Sequence, residues 1–215
     1  MRCLCCGKEL TGVSDKEISW RWHKKCVKNF FGINELPTLN LTEEVLRELA
    51  AKNSRAGYTV PGVQKKLSLH LTKEDGGRLT LVGYPSGYIL KPQTEEYAML
   101  PENEYMVMSM AKFAGIKTVP FALIAMESGE LAYITKRVDR VGERKLAMED
   151  FCQLDLRVTE DKYKGSYNRC SDVIKKYSCQ KLFDLTELFI RVVFSFLAGN
   201  SDMHLKNLSL ISENG

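Results

Sequence analysis

Asp202 and Asn207 lie five residues apart in the run Gly199-Asn200-Ser201-Asp202-Met203-His204-Leu205-Lys206-Asn207. That spacing suits phosphoryl transfer: a carboxylate meets the attacking hydroxyl while an amide oxygen meets a magnesium ion. Lys206 stands where a cation can face the transferring phosphoryl group, whose charge spreads over three oxygens. The plainer alternative is a helix C-cap at Gly199 followed by a polar turn. Upstream, Lys91 directly follows the apolar run Tyr88-Ile89-Leu90. A lysine at the end of such a strand can reach nucleotide phosphates, or it can simply end the strand in solvent. Glu102 and Glu104 fall within reach of a pairing with Lys91; the alternative is that both only complement a helix dipole. At the N-terminus, Cys3 and Cys6 form a C-x2-C pair, and His23 and Cys26 form an H-x2-C pair after a sixteen-residue gap. Two such pairs can supply four ligands to a tetrahedral zinc ion, although Cys5 complicates the count. The alternative leaves ordinary thiols, with Trp20, Trp22, Phe30 and Phe31 packing on the next domain.

These residues need elements to hold them. Residues 1–40 read as a small Cys/His segment that ends at Pro37, too short to bury much core without a metal. Leu41 to Lys52 reads as a helix with Thr42 as its N-cap. Leu67 to Leu71 alternates apolar and polar residues as a half-buried strand, and Asp75-Gly76-Gly77 turns it into a returning strand over Arg78 to Val82. Pro85-Ser86-Gly87 turns again into the strand that carries Lys91. Pro101 to Ala114 reads as a helix closed by Gly115. Val119 to Ala125 and Leu131 to Thr135 read as strands joined at Glu127-Ser128-Gly129, and Lys136 to Arg140 as a connector. From Glu149 the pattern turns helical: a short helix or turn to Leu156, a polar surface loop over 159–171, then helices over Asp172 to Tyr177 and Leu182 to Ala198. The last places Leu185, Leu188, Phe189, Val192, Val193, Phe196 and Leu197 at three-and-four spacing, which predicts a central core helix delivering Asp202 to its C-terminal end.

The chain has 215 residues, 44% hydrophobic and 27% charged, with a net charge of +4. Those values fit an ordinary globular protein of one or two domains and do not call for nucleic acid. No apolar run approaches a membrane span, and Met1-Arg2-Cys3 opens no signal peptide. A cytoplasmic location follows as the expectation, with the seven cysteines reduced rather than disulfide-linked.

Gly62-Val63-Gln64-Lys65-Lys66-Leu67-Ser68-Leu69, Ile89-Leu90-Lys91-Pro92, Glu102-Asn103-Glu104-Tyr105, Lys136-Arg137-Val138-Asp139-Arg140, Glu149-Asp150-Phe151-Cys152-Gln153 and the Asp202 motif occur in a familiar order. Over roughly residues 57–215 the chain resembles the HipA family of bacterial toxin serine/threonine kinases, closest to the HipT-type members of split toxin–antitoxin systems. The resemblance implies an α+β, two-lobed kinase-like fold: an antiparallel-sheet lobe over 41–140 and the beginning of a helical lobe over 141–215. It implies ATP and magnesium as cofactors and a protein serine as acceptor, with an aminoacyl-tRNA synthetase as family precedent. A helix-turn-helix antitoxin is the implied partner, with DNA met only through it and no membrane. By position, Pro61, Gly62, Val63, Gln64, Lys65 and Lys66 resemble the phosphate loop. Lys91 resembles the phosphate lysine, and Lys136, Arg137 and Val138 resemble the adenine-facing connector. Asp202 resembles the catalytic base, Asn207 a magnesium ligand, and His204 and Lys206 the same nucleotide-side loop. Thr59 stands where family members carry an autophosphorylated serine.

One departure is expected to matter. The second metal-binding carboxylate of kinases falls beyond the motif, and the sequence stops at Ser212-Glu213-Asn214-Gly215. The last strand is therefore expected to lack a pairing partner, magnesium to bind weakly through one amide oxygen, and a second polypeptide to be a candidate for completing the helical lobe. Two other readings compete with the kinase: a nucleotide- or antitoxin-binding module without catalysis, and a zinc-dependent nucleic-acid binder. Dispersed basic residues speak against the last.

Overall fold

A computed structural model of the chain describes residues 1–39, 66–83, 86–142 and 144–212. The expected helix over Leu41 to Lys52, the phosphate-loop residues Pro61 to Lys65, Thr59 and the terminal Asn214-Gly215 lie outside the described residues. The chain divides into two compact units: Met1–Met110 with Thr118–Val138, and Ala111–Lys117 with Asp139–Gly215.

The first unit is built on a six-stranded sheet in the order β1-β3-β2-β4-β6-β5. Its strands are β1 (Thr38–Leu39), β2 (Leu67–Thr72), β3 (Arg78–Leu81), β4 (Tyr88–Lys91), β5 (Phe121–Ala125) and β6 (Leu131–Lys136). All pairings are antiparallel except the short parallel pairing of β1 with β3. Alternation drives the arrangement. In β2, Leu67 and Leu69 point inward while His70 faces solvent, and in β4 Tyr88 and Leu90 point inward. The β2–β3 turn has Gly77 at φ 93°, where a Cβ would fall 2.4 Å from Ile33 Cδ1. That φ is one that residues with a Cβ rarely adopt, and the Gly77 carbonyl accepts the Thr38 amide at 3.0 Å, which seats β1.

Residues 1–39 do not stand apart from this sheet. Helix α1 (Asp15–Trp20) starts at a Ser14 capping box with Glu17, and α2 (Lys24–Phe31) buries Val27, Phe30 and Phe31. Those side chains, with Cys3, Leu4 and the fully buried Trp22, share one core with Leu69, Leu79, Leu90 and Ile134 of the sheet. Trp22 lies 5.6 Å from both Phe30 and Phe31, and Phe31 lies 5.6 Å from Tyr88 of β4. The expected boundary near residue 40 is therefore not a boundary of packing. Helix α3 (Leu100–Phe113) follows β4; its Leu100 amide donates to Gln93 Oε1 at 3.2 Å.

The second unit carries the short strands β7 (Arg140–Val141), β8 (Arg144–Lys145) and β9 (Met148–Asp150), then α4 (Phe151–Leu154), a single 3₁₀ turn (Thr159–Asp161), α5 (Tyr167–Tyr177), α6 (Lys181–Leu197), a second 3₁₀ turn (Leu205–Asn207) and β10 (Ser209–Ile211). Its core gathers Phe151, Cys152, Cys170, Val173, Ile174, Leu188 and Leu205.

Three expectations change here. The polar stretch 159–171 is not all loop: Ser166 accepts the Arg169 amide as an N-cap, and α5 begins at Tyr167. Cys170, Val173 and Ile174 form its buried stripe, which the polar residues around them mask. The long apolar helix is not a central core helix among the described residues. In α6 only Leu188 and Ser195 are buried, whereas Leu182, Phe183, Phe189, Phe196 and Leu197 are exposed. One apolar stripe seats it on α5, and nothing described covers the other. The last strand does not lack a partner: β10 pairs antiparallel with β9, Ser209 opposite Asp150 and Ile211 opposite Met148.

Candidate functional site

The Asp202 loop is held at both ends. α6 closes in a Schellman motif: Gly199 sits at φ 68°, its amide donates to Phe196 O at 3.2 Å, and the Asn200 amide donates to Ser195 O at 2.8 Å. Asn200 Oδ1 then accepts the Asp202 amide at 3.0 Å, turning the chain sharply out of the helix. At the far end Leu205 is buried in the second core, and its amide donates to Lys162 O at 3.1 Å. β10 then locks onto β9.

Between these anchors Asn207 clasps Asp202. Its Nδ2 donates to Asp202 O at 2.6 Å and to Asp202 Oδ2 at 3.0 Å. That leaves Asn207 Oδ1 as the atom able to meet a cation. The Asp202 side chain is 66% exposed, so its carboxylate faces incoming groups. His204 Nε2 lies 3.4 Å from Asp202 Oδ1, its ring stands edge-on to Tyr163 at 5.0 Å, and its Nδ1 is buried with no hydrogen-bond partner among the described residues. Lys206 Nζ donates to Thr159 Oγ1 at 3.2 Å. The loop thus offers one carboxylate to an incoming hydroxyl and one amide oxygen to a magnesium ion, whose remaining ligands would be phosphate oxygens and water.

In the first unit, Lys91 at the end of β4 pairs with Glu104 of α3, the second of the two candidate glutamates. The two side chains are 19% and 25% exposed, so the charges are largely withdrawn from water. The Lys91 ammonium also lies 5.4 Å from the ring centre of Tyr133, its cross-strand partner on β6. Burial, reinforced by the Glu104 charge, pushes the Tyr133 phenol well above its ordinary range. Lys136 ends β6 with its ammonium 5.6 Å from the Phe30 ring centre, and burial with the nearby Lys73 charge lowers its pKa. Arg137 donates its amide to Gly87 O at 3.0 Å, Val138 is exposed, and Lys66 is exposed just before β2.

The Cys/His candidates come together. The ligand atoms of Cys3, Cys6, His23 and Cys26 all lie within 4.8 Å of one another. His23 Nδ1 is 3.4 Å from Cys6 Sγ and 3.9 Å from Cys26 Sγ. A tetrahedral zinc, with bonds of about 2.3 Å to sulfur and 2.0 Å to nitrogen, sets ligand atoms at roughly those separations. The other imidazole nitrogen, Nε2, lies 3.2 Å from Glu9 O, the outer contact that leaves Nδ1 to the metal. The His23 amide donates to Cys3 Sγ at 3.4 Å. Burial and the neighbouring Cys5 and Cys3 push the Cys26 thiol up. Burial opposes ionisation of Cys6 too, but hydrogen bonds from Lys8, Cys26 and Cys3 hold its thiol below the ordinary value. A divalent cation relieves such crowding by taking the sulfurs as thiolates. Cys5 stands outside the four, and its carbonyl accepts the Tyr105 hydroxyl at 3.2 Å.

Residues 58–215 match the model of the HipA-like C-terminal domain. The chain belongs to the HipA-like family. It is 34% identical over 175 residues to "Putative kinase Y4dM" of Sinorhizobium fredii, covering 75% of this chain and 42% of that protein. It is 31% identical over 169 residues to a "Putative kinase" of Haemophilus influenzae, covering 72% of this chain and 48% of that one. The chain thus spans less than half the length of these curated relatives. Membership makes the fold kinase-like, as the α+β architecture and sheet lobe agree, and it makes the family one of kinase-type enzymes. Among the described residues no helix is long and apolar enough to cross a membrane.

Several contributors carried no sequence signal of their own. Asn200 is recognisable only once Gly199 is seen in a Schellman motif. Tyr163 and Thr159 lie in a stretch read as loop, and Tyr105 matters only through a contact one hundred residues away.

Proposed function

We propose that this chain carries the phosphoryl-transfer machinery of an ATP-dependent serine/threonine protein kinase. The observation that supports it best is the Asp202–Asn207 clasp, held between a Schellman-capped helix and a buried leucine in a chain of a kinase-type family. In this reading Asp202 accepts the proton of a serine hydroxyl on a protein substrate as its oxygen bonds to the γ-phosphorus and the bond to the bridging oxygen breaks, releasing ADP. Asn207 Oδ1, together with the nucleotide phosphates, would hold magnesium, whose charge would offset that of the transferring phosphoryl group. Lys91, fixed by Glu104, contacts the phosphates, and Lys206 and His204 line the nucleotide side of the loop. Pro61 to Lys66 supply the phosphate loop, Lys136 to Val138 face the adenine, and Thr59 is the autophosphorylation position. The family resemblance supports a toxin–antitoxin role, with an aminoacyl-tRNA synthetase as substrate class and a helix-turn-helix antitoxin as restraint.

The test is phosphate transfer from labelled ATP with magnesium, comparing the chain with Asp202→Asn. Loss of a positioned base is expected to cost about 10²–10⁴ in rate while ATP binding stays unchanged. Transfer by Asp202→Asn at the unsubstituted rate overturns the assignment. ATP binding without transfer by the unsubstituted chain favours the alternative, a nucleotide- or antitoxin-binding module.

A second reading concerns the N-terminal cluster: Cys3, Cys6, His23 and Cys26 hold a structural zinc. Four converging ligand atoms with a carbonyl behind the imidazole support it.

A further inference from the structure

The Cys/His knuckle is bonded to the helix that carries Glu104 and to the sheet that carries Lys91. On one side the Leu123 amide of β5 donates to Leu4 O at 2.9 Å, tying the knuckle to the sheet. On the other, Tyr105 of α3 donates its hydroxyl to Cys5 O at 3.2 Å. Leu4 and Cys5 are the two residues between the ligands Cys3 and Cys6, so both bonds leave from the metal loop itself. Tyr105 is also the neighbour of Glu104. Successive helix residues point about 100° apart, so Glu104 can reach Lys91 while Tyr105 reaches the knuckle. The ring of Tyr105 packs edge-on to Phe121 at 5.5 Å, which fixes where its hydroxyl falls.

Among the described residues, this part of α3 meets the first core through Tyr105 and Met108. Between Leu100 and Met110 only Pro101 is buried, and Met106 and Met110 are exposed. A helix with so few buried side chains takes its position from a handful of contacts, and the Tyr105–Cys5 bond is one directed contact from its middle. Without a cation the four ligands crowd one another, and the turn is left to its backbone bonds, from the Gly7 amide to Cys3 O at 2.9 Å and from the Cys3 amide to Lys8 O at 2.8 Å.

We propose that zinc in the Cys3/Cys6/His23/Cys26 knuckle positions α3 through Tyr105 and so sets the Lys91–Glu104 pair that addresses the nucleotide phosphates. Tyr105 is a positioning residue: it touches neither phosphate nor metal. The inference rests on the zinc reading above, and its test separates the two.

The experiment uses the full chain and its Tyr105→Phe variant. Zinc is counted by elemental analysis, and Lys91 is footprinted with an amine-selective reagent read by mass spectrometry, with exposed Lys112 as the internal reference. Circular dichroism reports whether the fold is kept. The expected result is one zinc per chain in both proteins and slow Lys91 labelling in the unsubstituted chain. Chelation is expected to speed that labelling about fivefold or more, the low end of coupling between two sites. Zinc added back should restore the slow rate. Tyr105→Phe should label Lys91 fast while still holding zinc, and chelation should add little. If Tyr105→Phe keeps its zinc and labels Lys91 at the unsubstituted rate, the Tyr105 link is wrong though the zinc reading stands. If chelation leaves Lys91 unchanged in the unsubstituted chain, the coupling is wrong. If neither protein holds or takes up zinc, the zinc reading itself fails. Should Tyr105→Phe not fold, chelation and zinc re-addition to the unsubstituted chain still decide the coupling.

Discussion

Lys91 and Glu104 illustrate how a single pair can carry two costs. Withdrawing both charges from water is expensive, and their mutual attraction offsets that only while both are present. Glu104→Gln should therefore leave the Lys91 ammonium largely buried with only the Tyr133 ring against it, lowering unfolding free energy by about 1–3 kcal/mol in urea titrations. An unchanged midpoint would show that water already reaches the pair. Asp155 offers a second case. Hydrogen bonds from Arg169 and Arg157, at 2.5 Å each, hold its carboxyl below the ordinary value against the burial that raises it. A depressed folded pKa adds stability that is fully present above the unfolded value of about 3.9 and is lost as pH falls through the folded one. Acid titration of stability should thus be shallower below about pH 4 in Asp155→Asn than in the unsubstituted chain, since the asparagine cannot titrate. Identical slopes would dismiss Asp155 as a contributor. The residue types at Lys91, Asp202, Asn207, Cys3, Cys6, His23 and Cys26 were legible because their chemistry depends on spacing. Tyr105 was not, because an ordinary tyrosine on a helix announces no partner.

Helix α5 shows what an N-cap decides. Ser166 Oγ accepts the Arg169 amide at 3.3 Å, and the helix runs from there through a stretch whose composition reads as loop. Ser166→Ala should cost about 0.5–2 kcal/mol and fray the first turn. Hydrogen exchange at 167–170 is the direct check, and protection equal to that of the unsubstituted chain would argue that burial of Cys170 alone holds the turn. Strands β2 to β6 of the first unit were legible to within a residue or two, since alternation and glycine turns are local signals; β1, two residues long, carries no such signal. The placement of α6 was not. Periodicity tells which residues of a helix are apolar, but burial depends on what lies opposite, and that is not written in the helix itself. The pairing of β10 with β9 was hidden for the same reason: its partner lies sixty residues earlier, in Met148–Asp150.

At the scale of the molecule, the N-terminal residues are structural members of the sheet unit. Their aromatic side chains complete its core, their β1 covers the edge of β3, and their Cys/His cluster stands beside the helix that carries Glu104. Composition could not reveal this, because a short cysteine-bearing segment reads equally well as an independent knuckle. The placement also has an optical consequence. The chain has two tryptophans, Trp20 and Trp22, and both fall in the first unit. Trp22 is fully buried against Phe30 and Phe31, and Trp20 packs on the same core. Selectively excited tryptophan emission therefore reports on the Cys/His knuckle and its sheet. Thermal melts followed by tryptophan emission and by far-ultraviolet ellipticity should part company when a chelator is present, with the emission transition moving to lower temperature first. Coincident curves would mean that the whole chain melts as one body, with its only tryptophan reporters at the end that carries the cysteines.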